Sequence, residues 1–143
     1  MKTYFLFIPV ILILSCSVKP EPLVMGKDAC HTCKMTLVDN KFGAEIVTKK
    51  GKVYKFDDVN CMINFSNTGY ESEENIAFWL VEDYANPGKL LNAKQLFYSK
   101  SDKIKSPMNG NVSAFEKKED LEKYNAEWNG VILTWGELVT QFK

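Results

Sequence analysis

The sequence predicts an α+β protein built from two tandem ββαβ units related by a weak internal repeat. Three observations lead there. The pattern Gly-x-Val-x-x-Phe-acidic occurs twice, at Gly51-Lys52-Val53-Tyr54-Lys55-Phe56-Asp57 and at Gly110-Asn111-Val112-Ser113-Ala114-Phe115-Glu116. Hydrophobic periodicity around both copies follows one order, strand, strand, helix, strand. The composition is that of an ordinary globular chain, 143 residues with 45% hydrophobic and 25% charged, enough for one domain or two very small ones. A single shared pattern arises cheaply by chance. Shared element order on both sides of it argues for duplication.

The N-terminus reads as a targeting segment. Met1-Lys2-Thr3 is a short positive start, and Tyr4 to Leu14 is an apolar run broken by one Pro. Spanning a bilayer takes roughly 20 apolar residues, so this run has the length of a secretory signal core instead. Its end, Ile13-Leu14-Ser15-Cys16, resembles the lipobox of bacterial lipoproteins. Residues 1–15 are therefore expected to be a signal peptide, with Cys16 lipidated. Several acyl chains on one Cys anchor a protein far better than a single chain does. Residues 16–22, with Pro20 and Pro22 disfavouring helix, form a short tether. The expected location is the cell envelope, anchored to the membrane and facing the periplasm or another extracytoplasmic space.

The first unit is assigned to residues 23–92. It opens with a loop carrying Cys, His and Met. Ala44-Glu45-Ile46-Val47-Thr48-Lys49 alternates as a half-buried strand does. Lys50-Gly51 makes the turn, and Val53 to Phe56 is the partner strand. Asp57 or Asp58 caps a helix running through Val59, Met62, Ile63 and Phe65, and Asn67-Thr68-Gly69 ends it. Ile76 to Tyr84 is an apolar-rich strand. The second unit, 93–143, repeats the order. Gln95 to Ser101 and Gly110 to Phe115 are paired strands. Glu116 to Trp128 is a helix with Leu121, Tyr124 and Trp128 on one face, stopped by Asn129-Gly130. Val131 to Trp135 is a strand, and Gly136 to Phe142 a last short helix.

Charge narrows the function. Eighteen basic residues balance 18 acidic ones, and no basic tract favours nucleic acid. With one His in the chain, a Ser-His-Asp arrangement would have to use His31, and no carboxylate pair is suitably placed. The chain does not read as an enzyme.

Sulfur is the informative element. Of four cysteines, Cys16 is committed to lipid. Cys30, Cys33 and Cys61 are left, an odd set in an exported protein. A thiol that persists outside the cytoplasm needs a reason, and metal ligation is one. A Cys30–Cys33 or Cys33–Cys61 disulfide with one buried thiol is another. Cys30-His31-Thr32-Cys33-Lys34-Met35 gathers thiolate, imidazole and thioether, the ligands of a soft ion. Three assignments compete. Structural zinc would use Cys30, Cys33, Cys61 and His31, but wants four closed ligands, often as two spaced pairs. A thiol–disulfide oxidoreductase would use Cys30 and Cys33, but wants its Cys-x-x-Cys at a helix N-terminus behind a strand. Cu(I) accepts two or three soft ligands, Met included. Met25, Met35, Met62 and Met108 supply thioethers. Met62 belongs on the apolar face of the first helix, whereas Met108 sits in the turn-like Ser106-Pro107-Met108-Asn109-Gly110.

These residues together resemble the NosL family of copper-binding lipoproteins, associated with nitrous oxide reductase maturation. The likeness lies in His31, Cys33-x-Met35, Phe56-Asp57-Asp58-x-x-Cys61-Met62, Val81-Glu82-Asp83-Tyr84, Ser106-Pro107-Met108 ahead of Gly110, and the closing Gly-Val-Ile-Leu-Thr-Trp. It covers essentially the whole mature chain. The resemblance implies a Cu(I) metallochaperone of two similar ββαβ units, related to the N-terminal part of organomercurial lyase. It implies Cu(I) held by Cys33 and Met108, with His31 as a third ligand, and Met35 matching the family's Cys-x-Met. The implied partner is a copper-accepting enzyme or assembly factor of the nitrous oxide reductase system. Some members carry only the Cys that corresponds to Cys33. The added Cys30 and Cys61 leave room for a Cys-richer site, a second copper or a protective disulfide.

Overall fold

The computed structural model describes residues 18–143. The expected signal peptide and the lipidation site Cys16 lie outside the described residues. Seven strands and three helices follow in chain order: β1 Ala44–Thr48, β2 Val53–Phe56, α1 Val59–Asn67, β3 Ile76–Glu82, β4 Leu90–Asn92, β5 Phe97–Lys100, β6 Val112–Phe115, α2 Lys118–Trp128, β7 Val131–Leu133 and α3 Trp135–Gln141. They build two antiparallel sheets, one in the order β2-β1-β3-β4 and the other β6-β5-β7. In each sheet the first strand of the hairpin is central. Its hairpin partner lies on one side and the strand after the helix on the other. The α+β class and the doubled ββαβ order are thus present. The short β4 is an addition that three residues, Leu90–Asn92, could not announce by periodicity.

Local chemistry explains the boundaries. Gly51 turns the first hairpin at φ +81°, a left-handed conformation cheap only for glycine. Asp58 caps α1 by accepting from the Cys61 amide at 3.0 Å. Asn129 ends α2 in the left-handed region at φ +48°. Thr134 and Glu137 form a reciprocal capping box at the start of α3.

One core serves both units. Ile46, Tyr54, Phe56, Met62 and Ile63 of the first unit are buried in it with Tyr98, Ala114, Leu133 and Leu138 of the second. Trp135 leans on Trp79 and Tyr98, at centroid distances of 5.8 and 6.0 Å. Tyr84, just past β3, packs among Phe115, Tyr124 and Trp128.

The central strand β1 departs from its sequence pattern. It alternates in polarity, yet all five residues are buried. The cause is the N-terminal segment, which lies across the outer face of the sheet. The Glu21 amide donates to Glu45 Oε1 at 3.1 Å. Lys55 donates to the Pro22 carbonyl at 3.0 Å and pairs with Asp28 and Glu21. Leu23 packs so tightly over Gly43 that a Cβ there would come within 2.4 Å of its Cδ1. Contacts with the sheet therefore reach back to Glu21. Glu45 is sealed beneath this segment, and burial pushes its carboxyl up to about 7.

Candidate metal centre

The segment from Val24 to Leu37 folds back on itself as a small hairpin. Ala29 and Thr36 form an antiparallel bridge. The Cys30 amide donates to the Met35 carbonyl at 2.8 Å, and the Lys34 amide to the Cys30 carbonyl at 3.0 Å. Lys34 takes the left-handed turn at φ +65°. Two further bonds fix this hairpin to the domain. The His31 amide donates to the Lys55 carbonyl of β2 at 2.8 Å, and the Thr32 hydroxyl to the Cys61 carbonyl of α1 at 2.9 Å.

The docked turn brings sulfur together. Cys30 and Cys61 are buried and Cys33 half-buried, all three as free thiols. With Asp57 they offer four ligand atoms that all lie within 4.8 Å of one another. The Cys33 thiol donates to Asp57 Oδ2 at 3.3 Å. Asp57 Oδ1 is buried with no hydrogen-bond partner. A buried acceptor left bare is costly, and this one belongs to a carboxylate that already meets the thiols through its other oxygen.

The thiols are electrostatically unequal. The hydrogen bond from Cys61 holds Cys30 down to about 6, against the opposing effect of burial. Burial pushes Cys33 up to about 11, helped by its contacts to Cys30 and Asp57. Cys61 is driven up strongly by the hydrogen bond it gives Cys30, then by burial and by Asp57. The hydrogen bonds among the three thus favour the thiolate on Cys30 over its two neighbours. A cation entering the site displaces the thiol protons.

The other sequence candidates fall around this cluster. His31 is not among the four grouped residues. Its ring stands edge-on to Tyr54 and Phe65, at 4.8 and 5.1 Å between centroids. Burial, then Lys34 and Lys52, lower its pKa, leaving a neutral imidazole. Met35 is 53% exposed and enters the turn through its backbone carbonyl. Met62 is fully buried core. Met108 is half-buried and packs against the same core that Cys33 touches. Its amide donates to Asp58 Oδ2 at 3.1 Å, and the Ser106 hydroxyl donates to the same oxygen at 3.1 Å. The residues on Cys33 and on Met108 are thus neighbours in the chain, Asp57 and Asp58.

Asp57 is the residue sequence reasoning missed as a site member. The sequence offers it as a possible helix cap and as part of the repeat and of the family likeness, not as a ligand. The available signal was redundancy: one cap needs one carboxylate, and Asp57-Asp58 supplies two just ahead of Cys61. The Cys30–Cys33 pair lies in a hairpin turn and does not itself open a helix, unlike the Cys-x-x-Cys of a thiol–disulfide oxidoreductase. The low-pKa member, Cys30, is fully buried, which withholds it from a disulfide substrate. Three sulfurs and one carboxylate suit a thiophilic ion: Cu(I) on sulfur alone, or Zn(II) with Asp57 as a fourth ligand.

Comparison with known proteins agrees with this architecture. In a crystal structure described as the copper chaperone NosL from Shewanella denitrificans, the fold matches with a TM-score of 0.71, covering 85% of this chain and 96% of that one at 18% identity. At that identity the likeness is one of fold. No curated protein matches the chain. The model of the NosL family matches residues 23–142, a span that takes in both ββαβ units, the cysteine hairpin and the Met108 loop, and the chain therefore belongs to the NosL family.

Proposed function

We propose that the chain is a copper carrier of the cell envelope, which takes up Cu(I) on cysteine sulfur and passes it to an acceptor protein. One observation carries the reading: Cys30, Cys33, Cys61 and Asp57 converge to within 4.8 Å, with a buried Asp57 oxygen left without a partner. Family membership and the chaperone description of the Shewanella relative support it. Cu(I) is the cargo here. The buried Cys30 and Cys61 retain the ion, while half-buried Cys33 forms the open edge. Met108, reaching over from the second unit, supplies a thioether, and neutral His31 stands nearby as a further donor. Transfer proceeds by ligand exchange, with an acceptor thiolate, imidazole or thioether replacing one ligand at a time. The acceptor is a copper enzyme or its assembly factor, nitrous oxide reductase by family resemblance.

The anchoring half of the proposal rests on the lipobox ending at Cys16. Among the described residues no helix is long and apolar enough to cross a membrane. A second reading has one observation in its favour. Asp57 completes a four-ligand set of the kind structural zinc uses.

Chelator competition with Cu(I) and with Zn(II) tests both, on the wild-type chain, Cys33→Ala and Met108→Leu. The carrier reading expects tight Cu(I) binding, weakened by roughly tenfold or more in each variant. Zinc binding tighter than any Cu(I) binding, indifferent to Met108→Leu, would replace the carrier with a structural zinc protein.

A further inference from the structure

We propose that Asp58 is the positioning residue that holds the Met108 loop at the cysteine cluster and so sets the affinity of the site for Cu(I). The proposal deepens the reading above and rests on Met108 as a ligand. Asp58 is 1% exposed, and its side chain accepts three hydrogen bonds, one from its own helix and two from a loop about fifty residues away. Its Oδ1 accepts from the Cys61 amide and fixes the first turn of α1. Its Oδ2 accepts from the Ser106 hydroxyl and from the Met108 amide. One carboxylate thus holds the helix that carries Cys61 and the loop that carries Met108. Its chain neighbour Asp57 takes the Cys33 thiol.

The loop is shaped for this clasp. Asn109 and Asn111 both lie in the left-handed region, at φ +53° and +56°, which bends the chain sharply around Gly110. A Cβ on Gly110 would stand 2.7 Å from Asn60 Cβ and 3.5 Å from Asp58 Oδ2, so a glycine lets the loop close onto the start of α1. Ser106 closes the circuit by also accepting from the Asn111 amide at 2.9 Å. The loop has no strand or helix of its own between β5 and β6. Its approach to the cluster depends on these few bonds.

Asp58→Asn separates clasping from capping. Asn caps a helix as well as Asp does, so its oxygen keeps the Cys61 amide. Its amide nitrogen then replaces Oδ2 and meets the Met108 N–H, donor against donor. The experiment is Cu(I) chelator competition on the full chain for wild type, Asp58→Asn, Met108→Leu and the double variant. Alongside it, hydrogen exchange of the Met108 amide is followed in the metal-free protein. Ser106→Ala serves as the milder break should Asp58→Asn fail to fold.

Asp58→Asn is expected to weaken Cu(I) binding about tenfold to a hundredfold and to speed Met108 exchange at least about tenfold. The double variant is expected to bind no more weakly than Met108→Leu alone, because the clasp acts only through that side chain. The Met108 methyl resonance should shift with Cu(I) in wild type and no longer in Asp58→Asn, while thiolate–copper absorption persists in both. Wild-type affinity in Met108→Leu overturns the ligand reading beneath the proposal. Weakened binding in Met108→Leu, with unchanged affinity or unchanged Met108 exchange in Asp58→Asn, overturns the clasp itself. Additive losses in the double variant overturn it too.

Discussion

The two ββαβ units share one strand order and one buried helix anchor, yet the cysteine–aspartate cluster lies in only one of them. After Phe56 the first unit reads Asp57-Asp58 and reaches Cys61-Met62. After Phe115 the second reads Glu116-Lys117 and reaches Asp120-Leu121. Met62 and Leu121 are both fully buried, because each fills the same gap between helix and sheet. Their neighbours are under no such constraint. Helix α1 buries five side chains, Cys61 among them, whereas α2 buries Leu121 alone. Packing fixes one position in each copy and leaves the adjacent one free to become a ligand or a solvated acid.

The corresponding faces of the two sheets differ in the same way. Glu45 pairs with Lys55, which precedes Phe56, and Tyr98 pairs with Ala114, which precedes Phe115. Both are fully buried. Tyr98 faces the shared core and gives its hydroxyl proton to the Ala93 carbonyl. Glu45 faces the N-terminal segment and keeps one oxygen without a partner.

The largest effects should fall on the shared anchor. Met62→Ala and Leu121→Ala are each expected to lower stability by about 2–5 kcal/mol, read by urea unfolding. A loss in one and none in the other would break the equivalence. Copper binding should separate the units next. Cys61→Ser is expected to weaken Cu(I) binding roughly a hundredfold or more, as loss of a ligand exceeds loss of its supporting partners. Asp120→Asn, at the corresponding place in α2, should leave it unchanged. Equal behaviour of the two would place the metal elsewhere.

A smaller, pH-dependent effect belongs to Glu45. Its folded pKa of about 7 lies above the ordinary 4.5, so the fold favours the neutral acid. That contribution is complete below about pH 4.5 and is lost as pH rises through 7. Glu45→Gln should therefore flatten a decline of about 2–3 kcal/mol in stability between about pH 5 and pH 8. A decline that survives the substitution would assign it to another group. The smallest effect concerns capping. Asp58 caps α1, whereas Lys117 at the start of α2 makes no side-chain cap. Lys117→Asp should give the second helix what the first has and raise stability by about 0.5–1 kcal/mol. Thermal unfolding reads the change, and an unchanged or lowered midpoint would mean that the copies differ at this turn for another reason.

The sequence by itself determined the element order, the repeat and the sulfur inventory. Those are short-range matters: alternation sets β1 and β2, Asp58 and Asn129 set helix ends, and Gly51 sets a turn within a few residues of the chain. Tertiary structure decided which groups meet. Asp57 became a site member only when the Cys30–Cys33 hairpin docked on β2 and α1. Glu45 became a buried acid only when Glu21 and Leu23 closed over it. The Met108 loop meets the first unit at Asp58, fifty residues away in the chain. Each is a contact between residues distant in sequence, made by hydrogen bonds and burial that leave no periodic trace in the chain.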